Sequence, residues 1–371
     1  MLILLIVFLL AALIQLIYFT VFLVALTQKT PVNARGSQPV SVVVCAHDEE
    51  ENLKELVPEL LKQDYGTFEV IVVNDRSNDN TYDYLLEATR HDSRLKMVNV
   101  KDTPDHVNSK KYALTLGIRA ASYEWVLLTD ADCRPRSTKW ISAMSARFDD
   151  QSKFIIGFSP YQEKPGFLNL FQRFDSLVTA IQYIGFALLR NPYMGVGRNL
   201  AYRKSLFLEK KGFNNFLHVT GGDDDLFVNQ HANGKNARVE YNVDSLVYSV
   251  PKTTWSSFFN QKIRHMSVGK YYKGKHRFLL GVFMLSWMLT LFVGYPLIGL
   301  TPAYNIVFGY AVVGVILLRW ILMISCLHNF LKKPELAFSY WVIPILDLLY
   351  PIYYISTGLV TLFTRKVRWT K

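Results

Sequence analysis

The sequence predicts an α/β domain on a mostly parallel open sheet, with apolar helices at both ends of the chain. Three observations predict it. Short apolar runs alternate with helical patterns between Pro39 and Ser152, acidic residues stand at or just past the ends of those runs, and membrane-length apolar segments bound the charged stretch. The net charge of +11 and the mean hydropathy of +0.14 average over two different polymers, because the apolar material lies in residues 1–26 and 278–363 and most of the charge lies between. The 371 residues leave room for one domain of about 250 residues plus a few spans.

Residues 1–26 form the first apolar segment. No charge occurs from Met1 to Ala25, a stretch longer than the ~20 residues that cross a bilayer. A cleaved signal peptide has a basic start and a short apolar core, and neither is present, so a retained anchor is expected. The sheet domain is expected over residues 38–250, with strands at Val40 to Ala46, Phe68 to Asn74, Leu95 to Val100 and Trp125 to Thr129. After the first strand, Leu53, Leu56, Val57, Leu60 and Leu61 recur at helical spacing. Pro58 inside that run predicts a kink or a helix in two pieces. Further helices are expected over Thr81 to His91 and Lys110 to Ala121.

An amphipathic stretch, residues 254–273, precedes the C-terminal apolar region. Phe258, Phe259, Ile263 and Met266 are expected against the membrane, with Gln261 and Arg264 on the opposite face. Spans follow at 278–300 and 303–327, parted by the uncharged break Thr301-Pro302. Lys29, Arg35, Lys273, Lys275, Arg277, Lys332 and Lys333 flank the other ends, which turns the sheet domain toward the cytoplasm by the positive-inside tendency. In residues 337–363, Pro344, Asp347 and Pro351 are expected to interrupt the helix. A full crossing would carry the basic tail Arg365-Lys366-Val367-Arg368 outside, and a re-entrant segment would return it. Both readings stand. Arg319 and Asp347 are the ionisable residues within these segments; Arg319 is near enough to the end of its span to snorkel, and Asp347 is expected either to pair with Arg319 or to line a lipid-phosphate path.

Composition excludes some classes. The basic balance has no zinc-finger, basic-zipper or stacking-platform pattern behind it, so no nucleic-acid partner is expected. Lipid head groups and diphosphates draw on the same charge. Cys45, Cys133 and Cys326 are too scattered for a disulfide framework or a zinc site.

Asp48 follows the first strand, Asp75 the second and Asp130 the fourth. Ligands of open parallel sheets bind beyond the carboxyl ends of the strands, so the three positions converge on one mouth although each Asp alone could simply cap a helix. Asp130-Ala131-Asp132 offers two hard oxygen ligands to one ion. Gly221-Gly222-Asp223-Asp224-Asp225 leads into a helix that Asn233-Gly234 ends, and one or two of these acids suit a cap. Gly195-Val196-Gly197-Arg198-Asn199 superficially matches a dinucleotide fingerprint but follows no adequate strand.

Val43-Val44-Cys45-Ala46-His47-Asp48-Glu49-Glu50, Val72-Val73-Asn74-Asp75, Asp130-Ala131-Asp132, Asp223-Asp224-Asp225-Leu226 and Gln261-Lys262-Ile263-Arg264-His265 together resemble the family 2 glycosyltransferases over about residues 40 to 270. The resemblance implies the GT-A fold, a nucleotide-diphospho-sugar donor, here a uridine diphosphate sugar, and inversion at the sugar carbon. It implies that Asp48, Glu49 and Asp75 hold the nucleoside, with Lys110 near the donor. Asp132 becomes the direct ligand of Mg²⁺ or Mn²⁺, with Asp130 toward the ribose or a metal-bound water. Gln261 and Arg264 contact the diphosphate. Asp223 is implied as catalytic base, with Asp224 as the alternative, and Gly197, Asn199, Asp225 and His265 fall on the acceptor side. His265 stands where the family carries Trp, which disfavours processive extension. The expected activity is non-processive transfer to a lipid, lipid-linked or glycan acceptor at a bilayer, of the cell-envelope kind. A processive polysaccharide synthase and a non-catalytic sugar-nucleotide binding protein are the alternatives.

Overall fold

The computed structural model describes residues 1–28, 38–105, 107–217, 219–301 and 306–363. Lys29, Arg35, Pro302, the start of the span expected at 303–327 and the basic tail 365–368 lie outside the described residues.

After the apolar helix α1 (Leu2–Thr27) the chain lays down β1 (Val40–Ala46), α2 (Glu50–Leu61), β2 (Phe68–Asp75), α3 (Thr81–His91), β3 (Leu95–Val100), α4 (Ser109–Ala120) and β4 (Trp125–Asp130). These strands pair in parallel, in the order β3-β2-β1-β4. Every residue of β2 is buried and β1 is nearly so, as expected of strands covered on both faces. The helix in two pieces, one of the two outcomes expected at Pro58, does not appear. α2 runs unbroken through it, because a proline eight residues into a short helix forfeits one hydrogen bond without parting the two packed ends.

The second half of the sheet is mixed. β5 (Cys133–Pro135), α5 (Trp140–Ser145) and β6 (Phe154–Ile156) lead to the long helix α6 (Phe167–Leu188), then β7 (Leu200–Arg203) and α7 (Lys204–Glu209). β7 pairs antiparallel with β4 and β6. The short helix α8 (Asp225–His231) is followed by β8 (Ala237–Val239), parallel to β6, and β9 (Val247–Ser249), which pairs with β5. Seven strands make the main sheet.

The C-terminal third is helical: α9 (Trp255–Val268), α10 (Gly274–Leu300), α11 (Ile306–Lys332) and α12 (Ile343–Phe363). α1, α10, α11 and residues 340–361 are long and apolar enough to cross a membrane. They are fastened to one another by side chains. Gln15 on α1 donates to the Phe283 carbonyl and to Ser286 Oγ of α10, both at 2.8 Å, and Tyr18 donates to the Leu279 carbonyl at 2.8 Å.

The sheet domain and the apolar helices share one core. Val43, Ile71, Val73, Val126 and Leu128 on one sheet face belong to the same buried cluster as α6, Phe22 of α1 and Trp287 of α10. Phe22 meets Phe186 of α6 edge to face at 5.3 Å. The domain is therefore seated on the apolar helices rather than tethered to them.

Two expectations for the C-terminal region change. Pro344, Asp347 and Pro351 do not interrupt the last segment, since α12 is continuous from Ile343 to Phe363. Pro344 lies in its first turn, where no N–H is needed. Of the residues expected against the membrane, Phe258 is instead covered by protein: it is fully buried and its ring lies 5.7 Å from Tyr353 of α12 and 6.0 Å from Phe171 of α6, while Phe259, Ile263 and Met266 stay partly exposed. The expected ion pair is present. Arg319 of α11 donates both terminal nitrogens to Asp347, at 2.7 and 2.9 Å.

Candidate active site

The register of the parallel strands places the acids. Ala46 lies beside Asn74 and Cys45 beside Asp130, so β1, β2 and β4 stop at one level and hand Glu49, Asp75 and Asp130 to the same rim. A cavity of about 870 Å³ opens there. Glu49, Asp75, Lys110, Asp130, Asp132, Asp223, Asp224, Asp225, Gln261, Arg264 and His265 all line it.

Lys110, in the first turn of α4, joins two of the sequence-distant acids. Its ammonium donates to Asp130 Oδ1 at 2.9 Å and stands 3.8 Å from Asp223 Oδ2. Burial opposes its charge, but the carboxylates of Asp130 and Asp223 outweigh burial and raise its pKa above the ordinary lysine value. Burial likewise opposes ionisation of Asp130, and Lys110, Arg198 and Arg264 together hold it below the ordinary carboxyl value.

Asp130, Asp132 and Cys133 each bring one potential ligand atom within 4.8 Å of the others. Burial pushes the Cys133 thiol well above its usual pKa, so it remains an S–H that faces Asp132 Oδ1 at 3.6 Å. The remaining donors are two carboxylates, a hard-oxygen pair that suits Mg²⁺ or Mn²⁺ more than a thiophilic ion. The residues fit such an ion when a diphosphate supplies further oxygens.

The three consecutive acids divide their tasks. Gly221 and Gly222 both have positive φ, 84° and 77°, a turn that glycine makes without strain and that presents Asp223 to the cavity. Asp224 is used by the backbone: its Oδ2 accepts from Gly197 N–H at 2.5 Å and its Oδ1 from Asp225 N–H at 2.8 Å. Asp225 accepts from the Tyr272 hydroxyl at 2.7 Å and from Leu226 N–H at 2.9 Å. Burial, reinforced by the neighbouring carboxylates, raises the pKa of Asp224, and that of Asp225 well above its usual range. Asp223 alone keeps a carboxylate turned to the cavity with a cation beside it.

Three expected site residues stand elsewhere. Asp48 does not line the cavity. It braces two loops, accepting from Asn78 N–H at 2.6 Å while its own N–H donates to Ser77 Oγ at 3.0 Å, in a left-handed conformation with φ 53°. Asn199, expected on the acceptor side, is fully buried. Its amide nitrogen donates to the carbonyls of Phe158 and Ser245 and its oxygen accepts from Trp140 Nε1, so it ties the segment after β6 and the turn before β9 to α5. Gly197 packs beneath Asp224, where a Cβ would come within 3.2 Å of the carboxylate. Its place is support of the acidic loop.

Gln261 Oε1 accepts from the Tyr161 hydroxyl at 3.2 Å, and Arg264 lines the cavity beside the acids. His265 lines the same cavity with its side chain exposed.

Several cavity residues were not found by sequence reasoning. Arg198 sits over the Tyr161 ring at 5.2 Å and lines the cavity near Asp130 and Asp132. A charge inside the apolar run Met194 to Tyr202 was the available signal. α6 was missed altogether, although Asp175, Ser176, Thr179, Gln182 and Tyr183 recur at helical spacing and form its cavity-facing stripe. Asp175 pairs with Lys262 of α9. Lys111, fully buried, donates to the carbonyls of Phe216 and Val219 at 2.7 and 2.5 Å and so holds the segment that leads to Asp223.

Residues 41–209 match the family model for glycosyl transferase family 2. The sheet domain belongs to that family. A glycosyltransferase of Haemophilus influenzae, itself uncharacterized, is 34% identical over 93 residues, 25% of this chain and 28% of that one. Poly-beta-1,6-N-acetyl-D-glucosamine synthase of Staphylococcus epidermidis is 32% identical over 94 residues, 25% of this chain and 21% of that one. The chain thus spans about a quarter of the length of the curated relatives it matches. Among solved structures, the mannosyltransferase PcManGT of Pyrobaculum calidifontis, in complex with GDP-Man and Mn²⁺, superposes on 98% of this chain and 99% of its own with a TM-score of 0.64 and 17% identity. The likeness establishes the GT-A fold with its apolar helices. The family 2 match stops before Asp223, so the part of that loop rests on geometry.

Proposed function

We propose that this family 2 member is a membrane-integral inverting glycosyltransferase that moves one sugar from a nucleotide-diphospho-sugar, a uridine diphosphate sugar, to a lipid, lipid-linked or glycan acceptor. The observation that carries the reading is the Lys110 bridge, which sets Asp223 against Asp130 in the cavity that Asp75 and Asp132 also line. In this reading Glu49 and Asp75 accept hydrogen bonds from the nucleoside. Gln261, Arg264 and Lys110 face the diphosphate. Asp132 and Asp130 would hold Mg²⁺ or Mn²⁺, which when bound neutralises the departing diphosphate. The similar fold of PcManGT, with GDP-Man and Mn²⁺, supports a nucleotide-diphospho-sugar donor and a divalent ion.

Asp223 takes the proton of an acceptor hydroxyl as its oxygen forms a bond to the anomeric carbon. The bond from that carbon to the β-phosphate oxygen breaks on the opposite face, its electron pair leaves with the nucleoside diphosphate, and the proton passes from Asp223 to solvent. One base and one displacement give inversion. A panel of nucleotide sugars offered to the purified protein with Mn²⁺, Mg²⁺ or EDTA tests the reading. Release of nucleoside diphosphate from one donor, lost in EDTA, is expected. Equal rates in EDTA would remove the ion, and no release from any donor would remove the activity.

The sheet domain is proposed to face the cytoplasm, with Lys273, Lys275 and Arg277 at the near end of α10 and Lys332 at that of α11. α12 is proposed to be re-entrant, because Asp347 meets Arg319 midway along α11 while Met266 of α9 lies 3.6 Å from where a Cβ at Gly358 would sit. An epitope added after Lys371 is expected to be reached by antibody only in inside-out vesicles. Labelling of intact cells would establish a full crossing instead.

A further inference from the structure

The cavity that holds the acids does not end at the sheet domain. On α10 its wall includes Arg277, Leu280, Gly281 and Met284, positions i, i+3, i+4 and i+7 that form one helical stripe. On α12 it includes Tyr350, Tyr353 and Tyr354, again one stripe. Two membrane-length helices therefore turn matching faces to the space that contains Asp223. Gly281 is exposed, and a Cβ built on it would meet nothing within 4 Å. A gap stays open there at the first turns of α10.

The gap leads sideways rather than through. The α10 lining stops at Met284, and one turn further Trp287 and then Leu291 are fully buried, with Trp287 closed in by Phe19 of α1, Tyr350 and Arg319. Beyond them Phe8, Leu297, Val312 and Ile316 make a closed apolar cluster. A polymer moving along α10 would have to displace that packing, whereas a chain lying in the bilayer beside the first turns of α10 would not. The far wall differs in character: α6 turns Asp175, Ser176, Thr179 and Gln182 inward, hydrogen-bonding groups opposite an apolar and aromatic side. Such a space suits an amphiphile.

Resting on the glycosyl-transfer reading, we infer that the acceptor is a hydroxyl-bearing membrane lipid that enters laterally between α10 and α12, its tail passing Gly281 and its head reaching Asp223. Asp223 selects the head. It stands in the cavity as the candidate base, and a lipid phosphate, already ionised near neutral pH, has no need of a base, whereas a hydroxyl supplies the proton that Asp223 removes. The lipid supplies that hydroxyl as the nucleophile, and the bonds formed and broken are those already described.

Full-length protein in vesicles of the polar-lipid extract of its source membrane, given radiolabelled donor, tests the inference. Label is expected in the organic-extractable lipid fraction. Gly281→Phe, which fills the gap, is expected to cut that labelling at least tenfold, and Met284→Trp to act in the same direction. Donor affinity, measured on the same variants, reports whether they are folded. Label in water-soluble glycan or polymer, labelling of an isolated lipid phosphate alone, or undiminished lipid labelling in both folded variants would overturn the inference while leaving glycosyl transfer standing. Absence of both donor binding and donor cleavage in the unaltered protein would instead bring down the parent reading.

Discussion

Asp223→Asn is expected to lower the turnover of sugar transfer by about 10²- to 10⁴-fold, the usual contribution of a positioned general base, with donor affinity changed by less than a few fold. The two arms separate because of where the group stands. Asp223 is 7% exposed in the cavity, and its contact with Lys110, at 3.8 Å, is longer than the bond of Lys110 to Asp130. An amide preserves the volume and one acceptor oxygen but has no lone pair basic enough to receive the hydroxyl proton. Asp224→Asn is expected to act otherwise. It leaves one of the N–H groups of Gly197 and Asp225 facing an amide NH₂, so it should lower the melting temperature, by the ~1.5 to 3 kcal/mol of a charged hydrogen bond, before it alters chemistry. Stopped-time transfer assays beside isothermal donor titrations separate these outcomes. If Asp223→Asn turns over normally and Asp224→Asn does not, the base has been assigned to the wrong neighbour.

How much of this was legible beforehand differs by element. β1, β2 and β4 announce themselves because each is buried on both faces and so reads as a nearly unbroken apolar run, while the edge strand β3 is half-exposed and stands out by its place in the alternation with helices. The rim acids follow from that, since parallel register fixes where strands end. β6, β8 and β9 have three residues each, too short for any period to emerge. α6 hides for a different reason. Its solvent is the cavity and the membrane helices, so its polar stripe is narrow and most of its 22 residues are apolar, which blurs the helical period. Asn199 illustrates a third limit: a polar side chain beside glycines looks like a ligand-binding group, and only the fold reveals that Phe158, Ser245 and Trp140 already take both of its N–H groups and its carbonyl oxygen. The ion pair of Arg319 and Asp347 was the easier inference, because two opposite charges in apolar segments have few other ways to be satisfied.

That pair supports the second large expectation. Arg319→Met or Asp347→Asn alone should destabilise the protein by about 3 to 5 kcal/mol, the cost of leaving one buried charge without its partner, and Arg319→Met with Asp347→Leu should cost less than either single change. Both side chains are 0% exposed. The geometry leaves little slack: the guanidinium is bidentate, Trp320 Nε1 donates to the same Asp347 oxygen at 2.9 Å, and the guanidinium carbon lies over the Trp287 ring at 4.9 Å. A lone Arg319 or a lone Asp347 has no described group of opposite charge to turn to, so the penalty falls almost wholly on the single variants. Thermal unfolding in a fixed detergent measures it, and losses that simply add would show that the two residues do not act as a pair. The site should feel the loss too. Asp347 lies one turn before Tyr350, which with Tyr353 and Tyr354 walls the cavity, so a single variant that frees the start of α12 loosens that wall first. Transfer to a membrane acceptor is then expected to fall more than donor affinity, since Asp75 and Asp130 sit on sheet strands that the pair does not touch.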